Sequence, residues 1–291
     1  MSTHREDATP TIPNVTMNTG ATMPIFGYGT FKVEPKDAQQ YVETALDLGI
    51  RHIDTAQMYR NEKEVGQGIR RSGIERSQIF LTTKLNNSNH LQDDARRSIE
   101  QSLVDLGVDY VDLFLIHWPL PTLYDGDYVS TWKTMLDFEK EGLAKAVGVS
   151  NFQIDHLQKI IQETGRVPAV NQIEAHPQFA NNELRAFHQA QGIVTQAWSP
   201  LGRGAYLDAP ELLTLSERYN KTPAQIVLRW AIERGDVIFP KASTRERIAE
   251  NMALFDWTLT EEAIATIDKM DLGEPGRRGS HPDTMDWVPD F

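Results

Sequence analysis

The stretch RHIDTAQMYRNEKEVGQGIRR, residues 51–71, decides the fold. Its first six residues read as a short β-strand and the remainder as a loop and helix. An open dinucleotide-binding sheet carries G-x-G-x-x-G between its first strand and helix, where glycine lets the backbone approach a pyrophosphate. The segment after RHIDTA lacks that fingerprint, so a closed barrel is the better expectation.

Outward from this stretch one alternation repeats. Upstream, Ala38, Tyr41, Val42 and Ala45 keep helical spacing and Gly49 stops the helix. Downstream come IFLTTKL (79–85), a helix with Ala95, Ile99, Leu103 and Leu106 on one face ended by Gly107, and YVDLFLIHW (110–118). That last run is continuously apolar, which suits a strand buried on both faces. AKAVGVS (144–150), AVNQIEA (169–175), IVTQAWS (193–199), VIFPK (237–241) and LFDW (254–257) complete eight strand candidates. The helices between them end near Gly142, Gly165, Gly192 and Gly235, because glycine enters the left-handed conformation past a helix end without steric cost. Strand–helix alternation implies a parallel sheet. Eight units in a core of about 250 residues predict a (β/α)8 TIM barrel. VTMNTGATMPIFGYGTF (15–31) reads as an N-terminal β-hairpin turning at Asn18-Thr19-Gly20 and plugging the barrel floor, and EPGRRGSHPDTMDWVPDF (274–291) as an irregular tail. Residues 1–12 are expected to be disordered and 13–291 to form one domain.

Composition excludes several functions. With no cysteine there are no disulfides, thiolate metal sites or cysteine nucleophiles. Counting 29 basic against 41 acidic residues gives a net charge of −12, which opposes nucleic-acid binding. No apolar run approaches the ~20 residues of a membrane span, and the opening MSTHREDATPTIP has no signal-peptide core. A cytoplasmic location follows as the expectation.

Polar residues stand at strand ends, where barrel enzymes place their catalytic groups. Asp54, Lys84 and His117 end three successive strand candidates, and Tyr59 lies on the loop after Asp54. A lysine among Ile79, Phe80, Leu81 and Leu85 needs a buried partner, and Asp54 is the natural one. Carbonyl reduction adds hydride to carbon while a proton reaches oxygen. Tyr59 suits the donor, with Lys84 expected to lower its pKa, Asp54 to hold Lys84, and neutral His117 to orient the substrate oxygen. A metal-dependent hydrolase using His52, Asp54, His117 and His176 is the first rival, weakened by the repulsion Lys84 would exert on a metal. A nicotinamide-binding regulatory subunit is the second, weakened by the complete set of four polar residues.

The chain resembles the aldo-keto reductase family along nearly its whole length. GYGTF (27–31), IDTAQMYRNEKEVG (53–66), TTKL (82–85), DLFLIHWP (112–119), GVSNF (148–152), NQIEAHP (171–177), WSPLGRG (198–204) and PKASTRERIAEN (240–251) carry the resemblance. It implies Asp54, Tyr59, Lys84 and His117 as a catalytic tetrad. It implies NADPH as cofactor, its nicotinamide held by Ser150, Asn151 and Gln172 and stacked on Trp198. Gly29, Thr30, Ser199, Leu201 and Gly202 are further implied contacts. Lys241, Ser243 and Arg247 are placed near the 2′-phosphate, and Glu250 and Asn251 near ribose and adenine. Many members carry serine directly after this lysine. Here Ala242 stands there, and a weaker preference for NADPH over NADH is expected. Tyr28, Phe31, Trp118 and Trp287, with Tyr59 and His117, would line the substrate pocket. The short tail is similar to that of bacterial 2,5-diketogluconate and methylglyoxal reductases, which implies small aldehydes, dicarbonyls or sugar acids as substrates. Members of this length are commonly monomers.

Overall fold

The structure, a computed structural model, describes residues 11–289. Most of the stretch expected to be disordered, residues 1–10, lies outside these; Ile12 packs against the core. A two-stranded antiparallel hairpin, β1 (Asn14–Thr16) and β2 (Thr22–Pro24), comes first. Its turn closes through Met17 and Gly20, and Gly20 takes a φ of +85°.

Among the described residues, eight parallel strands then alternate with helices. They are β3 (Tyr28–Gly29), β4 (His52–Asp54), β5 (Phe80–Leu85), β6 (Val111–Ile116), β7 (Ala144–Ser150), β8 (Val170–Glu174), β9 (Val194–Trp198) and β10 (Val237–Ile238). Between them lie α1 (Pro35–Asp47), α2 (Glu62–Arg71), α3 (Gln92–Leu106), α4 (Tyr128–Glu141), α5 (Ile154–Thr164), α6 (Asn182–Gln191), α7 (Pro210–Tyr219) and α8 (Pro223–Glu233). Helices α9 (Arg245–Met252) and α10 (Glu261–Asp268) follow β10. Each strand pairs with its sequence neighbours. The ends meet through Ile238 N–H to Ile25 O (3.0 Å) and Gly27 N–H to Ile238 O (2.8 Å). The sheet therefore curls into a (β/α)8 barrel.

The count of eight strands stands, but its frame moves by one. GYG belongs to the barrel as β3 and is not part of the hairpin, which ends at Pro24. LFDW is no strand. Leu254 is fully buried and Phe255 meets Phe26 edge-on at 6.4 Å, so this run is apolar because it packs between α9 and α10 and the barrel. The glycine reading holds: Gly107, Gly142, Gly165 and Gly192 cap α3, α4, α5 and α6 in the left-handed conformation.

Alternation along the strands divides the core in two. Phe114 and Ile116 of β6 face the helices in the larger cluster, while Leu113 and Leu115 join Phe80, Ala146, Val170, Val194 and Val237 inside the barrel. Met17 and Met23 of the hairpin belong to this inner cluster and seal the floor. The same alternation sends Lys84, four residues beyond Phe80, and His117, two beyond Leu115, toward the opposite end.

Candidate active site

Asp54, Lys84 and His117 sit at the C-terminal ends of β4, β5 and β6, and Tyr59 ends a short 3₁₀ turn, Gln57–Tyr59. The structure brings all four together. Lys84 Nζ donates to Asp54 Oδ1 (2.7 Å), Thr55 O (2.8 Å) and the Tyr59 hydroxyl (3.2 Å). Those three acceptors satisfy a lysine with no exposed surface. The Tyr59 and His117 rings meet edge-on at 5.9 Å, and Phe31 covers the other side of Tyr59 at 5.1 Å.

Electrostatics follow from burial. Desolvation acts to lower the Lys84 pKa, yet Asp54 and Tyr59 outweigh it, so the pKa is raised and the ammonium persists. His117 falls well below its ordinary value, first through burial and then through the Lys84 charge, so its imidazole is neutral. Tyr59 departs from expectation. Burial pushes its hydroxyl above the ordinary 10.0, and the opposing pull of Lys84 does not overcome this. The phenol thus rests protonated, as a proton donor must.

Around this set lies a polar ring. Gln172 Nε2 donates to Asp54 Oδ2 and to Gln196 Oε1, both at 2.8 Å, which uses both amide protons and leaves Oε1 as its acceptor. Asn151, at a left-handed φ of 63°, donates to His117 O (2.9 Å) and Ser150 Oγ (3.1 Å) and accepts from Trp198 Nε1 (2.8 Å). Ser150 Oγ donates to Gln172 O (2.8 Å). Thr30 is buried, its hydroxyl bonded to Thr55, and Gly29 pairs with Asp54. Ser199 and Leu201 are half-buried and Gly202 is buried beside Tyr206.

Lys241, Ser243 and Arg247 are exposed at the start of α9. The Lys241 ammonium is bonded to Lys32 O (2.9 Å). Glu250 accepts from Thr222 (2.7 Å), and Asn251 is buried. Exposed cations at a helix start, on a chain of net charge −12, fit a phosphate group.

One expectation needs correction. Tyr28 does not line a pocket: it is 1% exposed and its hydroxyl is bonded to Ala242 O (2.9 Å), which locks it into the core. Residues of the rival metal reading are engaged elsewhere. His52 is bonded to Pro24 O and Thr82, His176 to Glu174, and among the described residues no three His, Cys, Asp or Glu side chains are arranged to hold a metal. Phe31 and Trp287 are about half exposed, and Trp118 is nearly buried.

Sequence reading missed Asn61. Buried and invisible to periodicity, it donates to Thr30 O and Val33 O (both 3.0 Å) and accepts from Thr55 (3.2 Å). It thereby ties the loop bearing Tyr59 to the loop after β3. Its position two residues after Tyr59, just before α2, was the available signal.

Comparison with known proteins gives the family. The aldo/keto reductase family model matches residues 23–272. An aldo-keto reductase of Mycolicibacterium smegmatis is 43% identical over 276 residues, 95% of this chain and 99% of the relative. Methylglyoxal reductase DkgA of Escherichia coli is 41% identical over 278 residues, 95% and 98% of the two chains. A mutant of Gox0644 solved in complex with NADPH superposes with a TM-score of 0.91 at 38% identity, covering 96% of this chain and all of the other. The chain belongs to the aldo-keto reductase family.

Proposed function

We propose that this protein reduces small aldehydes, ketones and dicarbonyls to alcohols with NADPH, and that Tyr59 is the proton donor. The buried chain from Asp54 through Lys84 to the Tyr59 hydroxyl carries this reading. The relative named methylglyoxal reductase and the neighbour solved with NADPH support the substrate class and the cofactor.

Lys241, Ser243 and Arg247 hold the 2′-phosphate of the cofactor, Glu250 and Asn251 its ribose and adenine, and Gly29, Thr30, Ser199, Leu201 and Gly202 contact it elsewhere. Gln172 Oε1, the one acceptor its amide has left, receives the nicotinamide amide beside Ser150 and Asn151, and Trp198 offers the ring a face. When bound, NADPH supplies the hydride. Tyr59 gives its proton to the substrate oxygen as charge builds there. The Lys84 ammonium, 3.2 Å away, stabilises the phenolate that results. Asp54 keeps that ammonium in place. Neutral His117 directs the carbonyl oxygen toward the hydroxyl, and Phe31, Trp118 and Trp287 exclude water from the reacting carbon.

In this reading the chain acts as a monomer and one catalytic unit, on small molecules in the cytoplasm. Among the described residues no helix is long and apolar enough to cross a membrane. The test is the loss of NADPH absorbance with methylglyoxal, phenylglyoxal and an aromatic aldehyde, with Tyr59→Phe run beside the wild type. Removing the general acid lowers kcat by about 10²–10⁴-fold and leaves NADPH affinity unchanged. A Tyr59→Phe protein with near-native turnover overturns the assignment.

A further inference from the structure

We propose that Glu174 is a positioning residue that clasps the C-terminal tail against Trp198 and so sets how tightly the carbonyl substrate is held. The inference rests on the reading of Trp198 as the face that receives the nicotinamide ring, against which the substrate carbonyl is held.

Glu174 ends β8 at the catalytic end of the barrel and is 2% exposed. A buried carboxylate at a barrel strand end is the usual seat of acid–base chemistry, but here both oxygens are engaged. Oε1 accepts from Arg278 N–H (2.7 Å) and contacts His176 Nε2 (3.1 Å), and Oε2 accepts from Gly279 N–H (2.9 Å). Its two tail partners are consecutive backbone amides. The arginines there do not hold the tail to Glu174 by charge: Arg277 is bound to Glu274 and lies over Phe179, while Arg278 reaches Gln178. The main chain itself is what Glu174 grips.

The grip reaches the site through Trp198, which is Glu174's register partner on β9. A Cβ at Gly279 would stand 2.4 Å from Trp198 Cη2 and 3.1 Å from Glu174 Oε2. Only glycine lets the tail pass that closely. With Nε1 bonded to Asn151, the indole is fixed at both ends. Farther on, Asp283 lies 3.5 Å from His156 and Trp287 O accepts from Asn87 Nδ2 (2.9 Å). The tail thus runs from β8 past the start of α5 to the loop after β5, with Glu174 holding it beside Trp198.

A carboxylate accepts both amide protons, whereas a glutamine must turn its own NH₂ toward one of them. Glu174→Gln therefore loosens the tail without removing bulk, and Gly279→Ala pushes it off Trp198 from outside the barrel. Both variants are tested for kcat and KM with methylglyoxal, and for the rate of trypsin cleavage after Arg278 in the full-length protein. KM rises roughly tenfold, the scale of one charge-assisted hydrogen bond, kcat changes by less than about twofold, and tail cleavage accelerates. If Glu174→Gln does not fold, Gly279→Ala gives the same readouts. Wild-type KM and cleavage rate in the folded variants overturn the proposal, as does a loss confined to kcat, which would put the carboxylate in the chemistry. Tyr59→Phe, run alongside, separates this from failure of the reductase reading, since tail cleavage does not depend on turnover.

Discussion

A lysine ammonium with no exposed surface persists only where acceptors replace its water, and Lys84 has three. Replacing it leaves the Asp54 carboxylate buried without its counter-charge, so Lys84→Met loses about 3–5 kcal/mol of stability, measured by urea unfolding. The variant also removes the one influence that lowers the Tyr59 pKa. In the wild type that pKa is raised, so reduction continues through neutral pH and fails only as pH climbs past it; in Lys84→Met this alkaline limb moves higher still. A pH profile of the residual turnover reads the shift. Asp54, Lys84 and His117 were legible in the sequence because each is a polar residue at the end of an apolar strand. Tyr59 was legible by its place on the following loop. What could not be read was the balance at its hydroxyl, since adjacency to Lys84 is visible in a pattern and the depth of burial is not. Glu174 was hidden for a similar reason, because its partners are backbone amides some hundred residues away.

Among the elements, the 3₁₀ turn at Gln57–Tyr59 carries the proposed proton donor without a sheet or long helix to hold it. Its stiffness comes from either side: Gln57 bonds Asn89 and Ser98, and Asn61 bonds the loop after β3. Asn61→Ala strands the buried Val33 carbonyl and the Thr55 hydroxyl, while Thr30 O keeps Val33 N–H, so about 1–3 kcal/mol is lost. It also frees Tyr59, so kcat falls while NADPH affinity holds, as titration of cofactor fluorescence against turnover will record. Strands were readable where they were long and apolar, as in β5 and β6. The two-residue β3 was misread as part of the hairpin. In β3, Gly29 sits where a Cβ would lie 2.5 Å from Phe239 O, so close passage and not β-propensity selects the residue. LFDW failed in the opposite direction, because helix packing demands apolar residues just as a strand does.

Across the whole molecule, burial makes stability depend on pH. His52 and His90 are pushed down to about 4 and His188 to about 3, each first by burial, and His117 and His156 are lowered as well. Each is neutral when folded but binds a proton when unfolded below about 6.5, so each favours unfolding as pH falls. Glu62, raised by burial to about 7, acts in the opposite sense, as do Asp112 and Asp236 from lower pH. Five histidines outweigh three carboxyls between about pH 5 and 6.5, so the melting temperature drops across that window. Calorimetry at its two ends measures the drop, and an unchanged or higher value at pH 5 contradicts it.

The seam between Ile25–Gly27 and Ile238 joins segments from opposite ends of the chain. During synthesis the barrel therefore stays an open sheet with two unpaired edges until β10 has left the ribosome. Every nascent chain passes through a state that invites strand pairing between neighbours on a polysome. A protein cut short before Val237 never leaves that state.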